Sequence, residues 1–375
     1  MVSNNQLLDR RRFLSLSGSS LAGLTLATCS IVLGNEVQSA LDKKARRTLR
    51  LAHMTDLHVQ PERWADKGLT ACLHHVQNLK DRADLIITGG DTVMDSFSQD
   101  DQRATLQWNL FHSIMKSECS LPVKSCVGNH DTWGWNKKKS KTSGQEPHWG
   151  KQRAIDELKI PNRFYSFDQA GWHFIILDGT HTDGKNGYIA KLDEEQFSWL
   201  SSDLANTPSS KPVLIVSHQP ILSIASLFRG DNQNEGVWTI PSARMLVDAG
   251  ILKDLFKKHP DVKLCLSGHL HLVDCVHYCG VTYLCNGAVS GAWWKGDNQE
   301  CDEGYGLIDL YEDGTFAHQY VAYNWTPMPE PKKESMILRD NGAQFGCPKV
   351  PRRLPQCYFQ TACNAPFCTQ EIRLL

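Results

Sequence analysis

Val127-Gly128-Asn129-His130-Asp131 is the stretch on which the reading of this chain turns. The run that leads into it, Val123 to Val127, has the composition of a buried strand. Gly128 then permits a tight turn, because it has no Cβ to clash. An amide, an imidazole and a carboxylate follow in succession. Asn129 offers a carbonyl oxygen to a cation, and His130 offers a nitrogen or a proton. Taken alone, the pentapeptide also fits a polar turn after a strand. Four other short clusters repeat its form, and together they carry the reading of both fold and site.

Upstream, Leu49 to Met54 alternates as a strand does and ends at Thr55-Asp56-Leu57-His58. Leu69, Leu73, Val76 and Leu79 recur at helical spacing. Leu85 to Thr88 is a short apolar strand that ends at Gly89-Gly90-Asp91, and Leu106, Leu110, Phe111, Ile114 and Met115 mark a second helix. The first third therefore reads β-α-β-α-β, an α/β pattern with a parallel sheet under covering helices. Downstream, residues 133–150 form a loop with Lys137, Lys138, Lys139 and Lys141 among three tryptophans. Trp172 to Leu177 is a strand, and Asp193 caps a helix through Phe197, Leu200 and Leu204. Val213 to Val216 is a strand that ends at Ser217-His218-Gln219-Pro220. A helix carries Leu246, Leu252, Leu255 and Phe256, and the strand Val262 to Leu266 ends at Ser267-Gly268-His269-Leu270-His271. Cys279-Gly280 and Asp313-Gly314 then mark two hairpins.

Five strand-like runs thus end in a small or polar residue followed by Asp, Asn or His. Asp56-Leu57-His58 alone fits a helix cap, Asp91 a turn, His218 a hydrogen-bonded core residue, and His269 with His271 a solvated pair. Their joint occurrence is what calls for a site, since sites in open α/β sheets gather outside the carboxyl ends of strands. Imidazoles, carboxylates and one amide make a mixed nitrogen and oxygen set, which suits Fe, Mn, Zn or Co better than Mg or Ca. No cysteine belongs to the set, which argues against a structural zinc. The ligands are too many for one centre and enough for two, with Asp91 as the bridge. Two ions about 3.5–4 Å apart polarise phosphoryl oxygens and generate hydroxide near neutral pH.

In this order, DxH, GD, GNHD, a lone His after a strand, and GHxH resemble the calcineurin-like metallophosphoesterase superfamily, over residues 50–325 or so. Within it, the chain looks most like class III cyclic-nucleotide phosphodiesterases and their exported relatives. The resemblance implies a four-layer α/β/β/α sandwich of two mixed sheets and a catalytic domain over residues 48–325. It also implies one metal on Asp56, His58 and His271, another on Asn129, His218 and His269, and Asp91 between them. His130 would contact the phosphate and assist the leaving oxygen, while a metal-bridging hydroxide attacks phosphorus in line. The implied activity is hydrolysis of a small-molecule phosphoester, phosphodiester or nucleotide-type. A phosphomonoesterase would use the same centre, and a metal-loaded cell-surface binding domain is the rival from another class. Family members that act on phosphoproteins carry GDxVDRG; here Gly90-Asp91-Thr92-Val93-Met94-Asp95-Ser96 displaces the second Asp and lacks the Arg, which puts in doubt a carboxylate partner for His130.

Trp133, Trp135, His148 and Trp149, with Trp293 and Trp294 later, are candidates for an aromatic wall facing a ring-bearing phosphoester. Loop packing explains them equally well. A net charge of −1 over 375 residues, 22% of them charged, gives no reason to expect a nucleic-acid polymer as partner. Arg10-Arg11-Arg12 heads an apolar segment from Leu14 to about Leu33, so residues 1–40 resemble a signal for the twin-arginine export machinery. A membrane anchor is the rival, and lipidation at Cys29 a further one. The expected location is periplasmic or cell-surface. Thirteen cysteines suit an exported chain. Cys347, Cys357, Cys363 and Cys368 would form two bridges in an irregular tail, residues 326–375. Cys275, Cys279, Cys285 and Cys301 are expected as buried thiols or disulfides.

Overall fold

The computed structural model describes residues 45–329, apart from residue 231. The arginine-led segment, Cys29 and the four tail cysteines lie outside the described residues. Among the described residues, fifteen strands run in chain order: β1 Arg47–Met54, β2 Leu85–Thr88, β3 Val123–Ser125, β4 Tyr165–Gln169, β5 Trp172–Leu177, β6 Thr180–Thr182, β7 Tyr188–Ala190, β8 Val213–Ser217, β9 Gln233–Asn234, β10 Val237–Trp238, β11 Val262–Ser267, β12 Asp274–Tyr278, β13 Val281–Cys285, β14 Gly304–Tyr311 and β15 Phe316–Ala322.

Two mixed sheets dominate. The first has the order β15-β14-β1-β2-β3 and the second β12-β13-β11-β8-β5-β4. In the first, β1, β2 and β3 are parallel, and β14 runs antiparallel to β1. In the second, β5, β8, β11 and β13 are parallel, with antiparallel strands at both edges. The period of two explains how each sheet is buried on both faces. In β1, Leu49 and Leu51 enter an apolar cluster shared with Phe174, Ile176, Leu214, Val216, Leu264 and Leu266 of the second sheet. Their neighbours Ala52 and Met54 instead meet Leu69, Leu73, Trp108 and Phe111 of helices Ala65–Gln77 and Asp101–Glu118. In the second sheet, Ile175, Leu177 and Ile215 turn outward to Leu200, Leu204, Leu252 and Phe256 of helices Glu194–Asn206 and Ala249–Phe256. Each fully buried side chain of this size contributes roughly 1.5–3 kcal/mol.

Two of the helices begin at a side-chain cap. Asp193 accepts from Gln196 N at 3.0 Å, and Asp100 accepts from Arg103 N at 3.1 Å. Several expectations need correction. The strand before the central motif stops at Ser125, although Cys126 N still reaches Thr88 O at 2.8 Å. Leu106 is 49% exposed, because Ala104, Gln107 and Trp108 take the core face of its helix. Among the described residues, all eight cysteines are free, and Cys275 and Cys279 are exposed rather than buried or bridged. Strand β4 and helix Lys151–Leu158 carry no signal that singles them out in sequence.

What matters for function is the register. Met54 pairs with Thr88 and Thr88 with Ser125, so three chains leave the first sheet at one height. Val216 pairs with Leu266, so the loops after β8 and β11 start together on the second sheet.

Candidate metal centre

Five loops therefore meet at one rim. Asp56 and His58 follow β1, Asp91 follows β2, Asn129 and His130 follow β3, His218 follows β8, and His269 and His271 follow β11. The first two loops are laced together by backbone bonds, Asp56 N to Gly90 O and His58 N to Asp91 O, both 3.0 Å. The third is pinned by His130 N donating to Asp91 Oδ1 at 2.8 Å, and the fifth by His269 N donating to Asp56 Oδ2 at 2.9 Å. Such close approach needs glycine. A Cβ on Gly128 would lie 2.1 Å from Asp91 N, and one on Gly268 would lie 2.0 Å from Thr55 Oγ1. Gly128 is thus required by what it touches rather than by the turn it makes. Asp56, His58, Asp91, His269 and His271 all have φ between 45° and 68°. A left-handed backbone at so many non-glycine residues is strain, which clusters at functional sites.

The side-chain atoms converge in two groups. Asp56 Oδ1 lies 3.1 Å from His271 Nε2 and 3.8 Å from His58 Nε2, and the two imidazole nitrogens are 3.2 Å apart. Asp91 Oδ2 lies 3.0 Å from His218 Nε2, which is 3.2 Å from His269 Nδ1 and 3.1 Å from Asn129 Oδ1. Asp91 Oδ2 is also 3.8 Å from His58 Nε2, so it stands between the groups. Asp56 with His58 and His271, and Asp91 with His218 and His269, each have the geometry to hold a metal ion. The fit is visible in one atom. Asp56 Oδ1 is buried with no hydrogen bond, although it faces two imidazole nitrogens. An unpaired buried carboxylate oxygen is costly unless a cation answers it. Backbone carbonyls fix two of the rings, since His218 Nδ1 donates to Gly89 O at 2.9 Å and His271 Nδ1 to Gly291 O at 2.6 Å. Each leaves an Nε2 lone pair directed at the centre, the usual arrangement behind a metal.

Burial and charge oppose one another in the cluster: burial lowers His218, but Asp91 and Asp56 outweigh it and raise it to about 9. Burial raises the Asp91 carboxyl, but His218 and His130 outweigh it and hold the group below the usual carboxylate range. Burial pushes His269 down to about 3, which keeps it a neutral ligand. Asp131 is buried and raised to about 7 by desolvation and by Asp91, against three backbone donors, Thr92 N, Val93 N and Gly128 N. It shapes the loop that presents Asn129 and His130.

His130 reaches the cavity from the side. It is half-buried, with Nε2 4.0 Å from Asp91 Oδ2 and its ring edge-on to His58 at 4.9 Å. Its Nδ1 has no hydrogen-bond partner among the described residues. Asp95 does not serve it, because its carboxylate accepts from Ser98 N at 2.9 Å and Gln99 Nε2 at 3.2 Å. The tryptophans mostly leave the site. Trp294 is fully buried, packs in the first core and donates from Nε1 to His58 O at 3.0 Å. Trp133 and His148 line a separate cavity of about 430 Å³ with Arg153 and Glu157. Trp135 packs on Phe97 and Trp149. Only Trp293 faces the centre, 4.6 Å from the His271 ring. The cavity over the centre measures about 370 Å³, and its other walls are Tyr188, Arg229, Pro241, Ala243 and Arg244. No motif in the sequence marks these five.

The chain is similar to several known proteins. The chain is 28% identical over 283 residues to a 3',5'-cyclic-nucleotide phosphodiesterase of Nostoc sp., covering 72% of this chain and 90% of that one. It is 25% identical over 208 residues to a protein of Arcobacter nitrofigilis named "Probable glycerophosphodiester phosphodiesterase GpdQ", covering 56% and 64%. A dimetal phosphatase from Danio rerio shares the fold at a TM-score of 0.51 and 12% identity, over 76% of this chain and 98% of that one. The sequence model of the calcineurin-like phosphoesterases matches residues 49–273, which hold every residue of the centre, and the chain belongs to that family.

Proposed function

We propose that the protein, a metal-dependent phosphoester hydrolase, cleaves small-molecule phosphodiesters at a two-metal centre. The observation that carries the reading is the pair of ligand groups on either side of Asp91, one of them holding the orphaned Asp56 Oδ1. Asp56, His58 and His271 would hold one ion, Asn129, His218 and His269 the other, and Asp91 both. Bound there, two cations polarise phosphoryl oxygens and make a water acidic enough to attack near neutral pH.

The chain's own residues do the rest. Asp91 keeps its place because its Oδ1 is tied to His130 N while Oδ2 faces the rings. His130, with Nε2 on the cavity side of Asp91, hydrogen-bonds a phosphoryl oxygen and gives its proton to the departing alkoxide. Its Nδ1 meets no carboxylate among the described residues, which favours a leaving group that needs modest help. The names of the Nostoc and Arcobacter relatives support a diester over a monoester. The arginine-led N-terminus supports a site of action outside the cytoplasm, tested by fractionation with and without the twin-arginine machinery.

The test is hydrolysis of bis(p-nitrophenyl) phosphate against p-nitrophenyl phosphate, with Mn, Fe and Zn supplied in turn. Faster turnover of the diester is expected, and Asp91→Asn should lose turnover and bound metal together. Turnover of neither ester with any metal would leave a metal-loaded binding domain as the better reading.

A further inference from the structure

We propose that Arg229 and Arg244 make this cavity a receptor for phosphodiesters that carry a second anionic group, an inference that rests on the phosphodiesterase reading above. Arg229 is fixed beside the centre by two contacts. Its Nη1 donates to Leu270 O at 2.5 Å, the carbonyl between His269 and His271, and its guanidinium lies over the Trp293 ring at 5.6 Å. Arg244 is fixed to Arg229, since its Nη1 donates to Arg229 O and to Asn232 Oδ1 at 3.0 Å. Both side chains are half-buried.

Neither makes an ion pair with a carboxylate among the described residues. Other arginines with comparable burial do. Arg50 pairs with Asp309, Arg153 with Asp101, and Arg163 with Asp178 and Asp193. A half-buried guanidinium with no carboxylate in contact costs stability, and Asp56 acts on Arg229 only from a distance. Two of them side by side repel as well, so their retention on one wall of the cavity points to an anion that arrives with the ligand. Arginine suits that task, because its planar fork binds phosphate or carboxylate in a bidentate manner. The Tyr188 hydroxyl, on the same wall and with no hydrogen bond among the described residues, adds a donor.

The scissile diester brings one negative charge, and the ligand cluster and His130 already face it. The two guanidiniums are therefore matched to a further charge on the alcohol portion, a phosphate or a carboxylate. Stacking of a nucleobase is less well served. Trp293 is the only tryptophan on the cavity, and Arg229, His271 and His58 already crowd its ring.

The experiment uses two esters with one leaving group, propyl p-nitrophenyl phosphate and its 3-phosphonopropyl counterpart, on the Mn-loaded protein. The expected result is a kcat/KM about tenfold or more higher for the phosphonate-bearing ester, carried by KM. Arg244→Gln should shrink that ratio about tenfold, and Arg244→Lys should restore part of it. Equal kcat/KM for the two esters would overturn the inference while leaving the phosphodiesterase reading intact. So would an Arg244→Gln variant that slows both esters equally, which would place the guanidinium on the scissile phosphate. Should neither ester turn over, the phosphodiesterase reading fails, and calorimetry still decides about the anion site. There, propane-1,3-bisphosphonate should bind about tenfold tighter than propylphosphonate, and equal affinities would overturn it.

Discussion

Replacing Gly128 by alanine tests the claim that loop contact, rather than turn conformation, builds the centre. The added Cβ would lie 2.1 Å from Asp91 N, 2.2 Å from Asp91 Oδ1 and 2.9 Å from Asp91 Cα. Ordinary contact needs roughly 3.4 Å or more, so the two loops must part by about 1 Å. Asp91 has nowhere to retreat. Its carbonyl accepts from His58 N, its Oδ1 from His130 N, and its Oδ2 sits 3.0 Å from His218. Overpacking of this kind costs about 1–3 kcal/mol, or roughly 1–2 °C of Tm for each kcal/mol in a chain of this size. The chemical cost is larger, since a displacement near 1 Å in a positioned group lowers turnover by about 100-fold. The assay is bis(p-nitrophenyl) phosphate hydrolysis, with a thermal melt and elemental analysis on the same preparation. Gly250→Ala is the control, because nothing lies within 4 Å of its Cβ position, and a gain of up to about 1 kcal/mol is expected there. A Gly128→Ala protein with unaltered turnover and metal content would refute the reasoning.

Three further outcomes follow from other parts of the molecule. Dialysis against a chelator should lower Tm and restoring Mn, Fe or Zn should recover it, since a ligand at about 100 times its Kd adds about 2.7 kcal/mol; superimposable melts would contradict the metal assignment. Trp294→Ala should cost about 3–5 kcal/mol in urea unfolding, because the ring is fully buried and holds His58 O; a loss below about 1 kcal/mol would show that the core closes over it. Burial lowers His173, but hydrogen bonds with Asp203 at 2.8 Å and Asp168 at 2.7 Å outweigh it and raise its pKa. A raised folded-state pKa stabilises fully below the unfolded value of about 6.5, and the stabilisation is lost as pH rises through the folded value. His173→Gln should therefore narrow the gap in urea midpoint between about pH 5.5 and pH 8.5, and an unchanged gap would sink this assignment.

The residues of the candidate centre were legible in the sequence because they stand at strand ends. Each ligand follows its strand within a few residues, so strand periodicity and side-chain type together located Asp56, Asp91, Asn129, His218 and His271. The same pattern also over-reaches. Asp178 follows β5 in the same manner, yet it is buried under Lys151 and Arg163 and takes no part in the cluster. Asn286 follows β13 and serves instead to join His53 to His318, at 2.9 and 2.8 Å. Only the packing of the two sheets separates these cases. Composition located tryptophans but not their direction, which is why Trp294 points into the core while Trp293, its neighbour, faces the cavity. Arg229, Arg244 and Tyr188 were invisible for a different reason. They sit in irregular connections or on a short hairpin, where no period says which way a side chain turns. Exposed Cys275 and Cys279 were misjudged because spacing along a strand carries no information about the partner a thiol lacks.

Neither sheet owns a full set of ligands. The first supplies Asp56, His58, Asp91 and Asn129, and the second supplies His218, His269 and His271. Strand β14, residues Gly304–Tyr311, lies in the first sheet beside β1, so even that half needs a strand about 250 residues further along the chain than β1. Any cation bound across both groups would therefore report that the two sheets have docked.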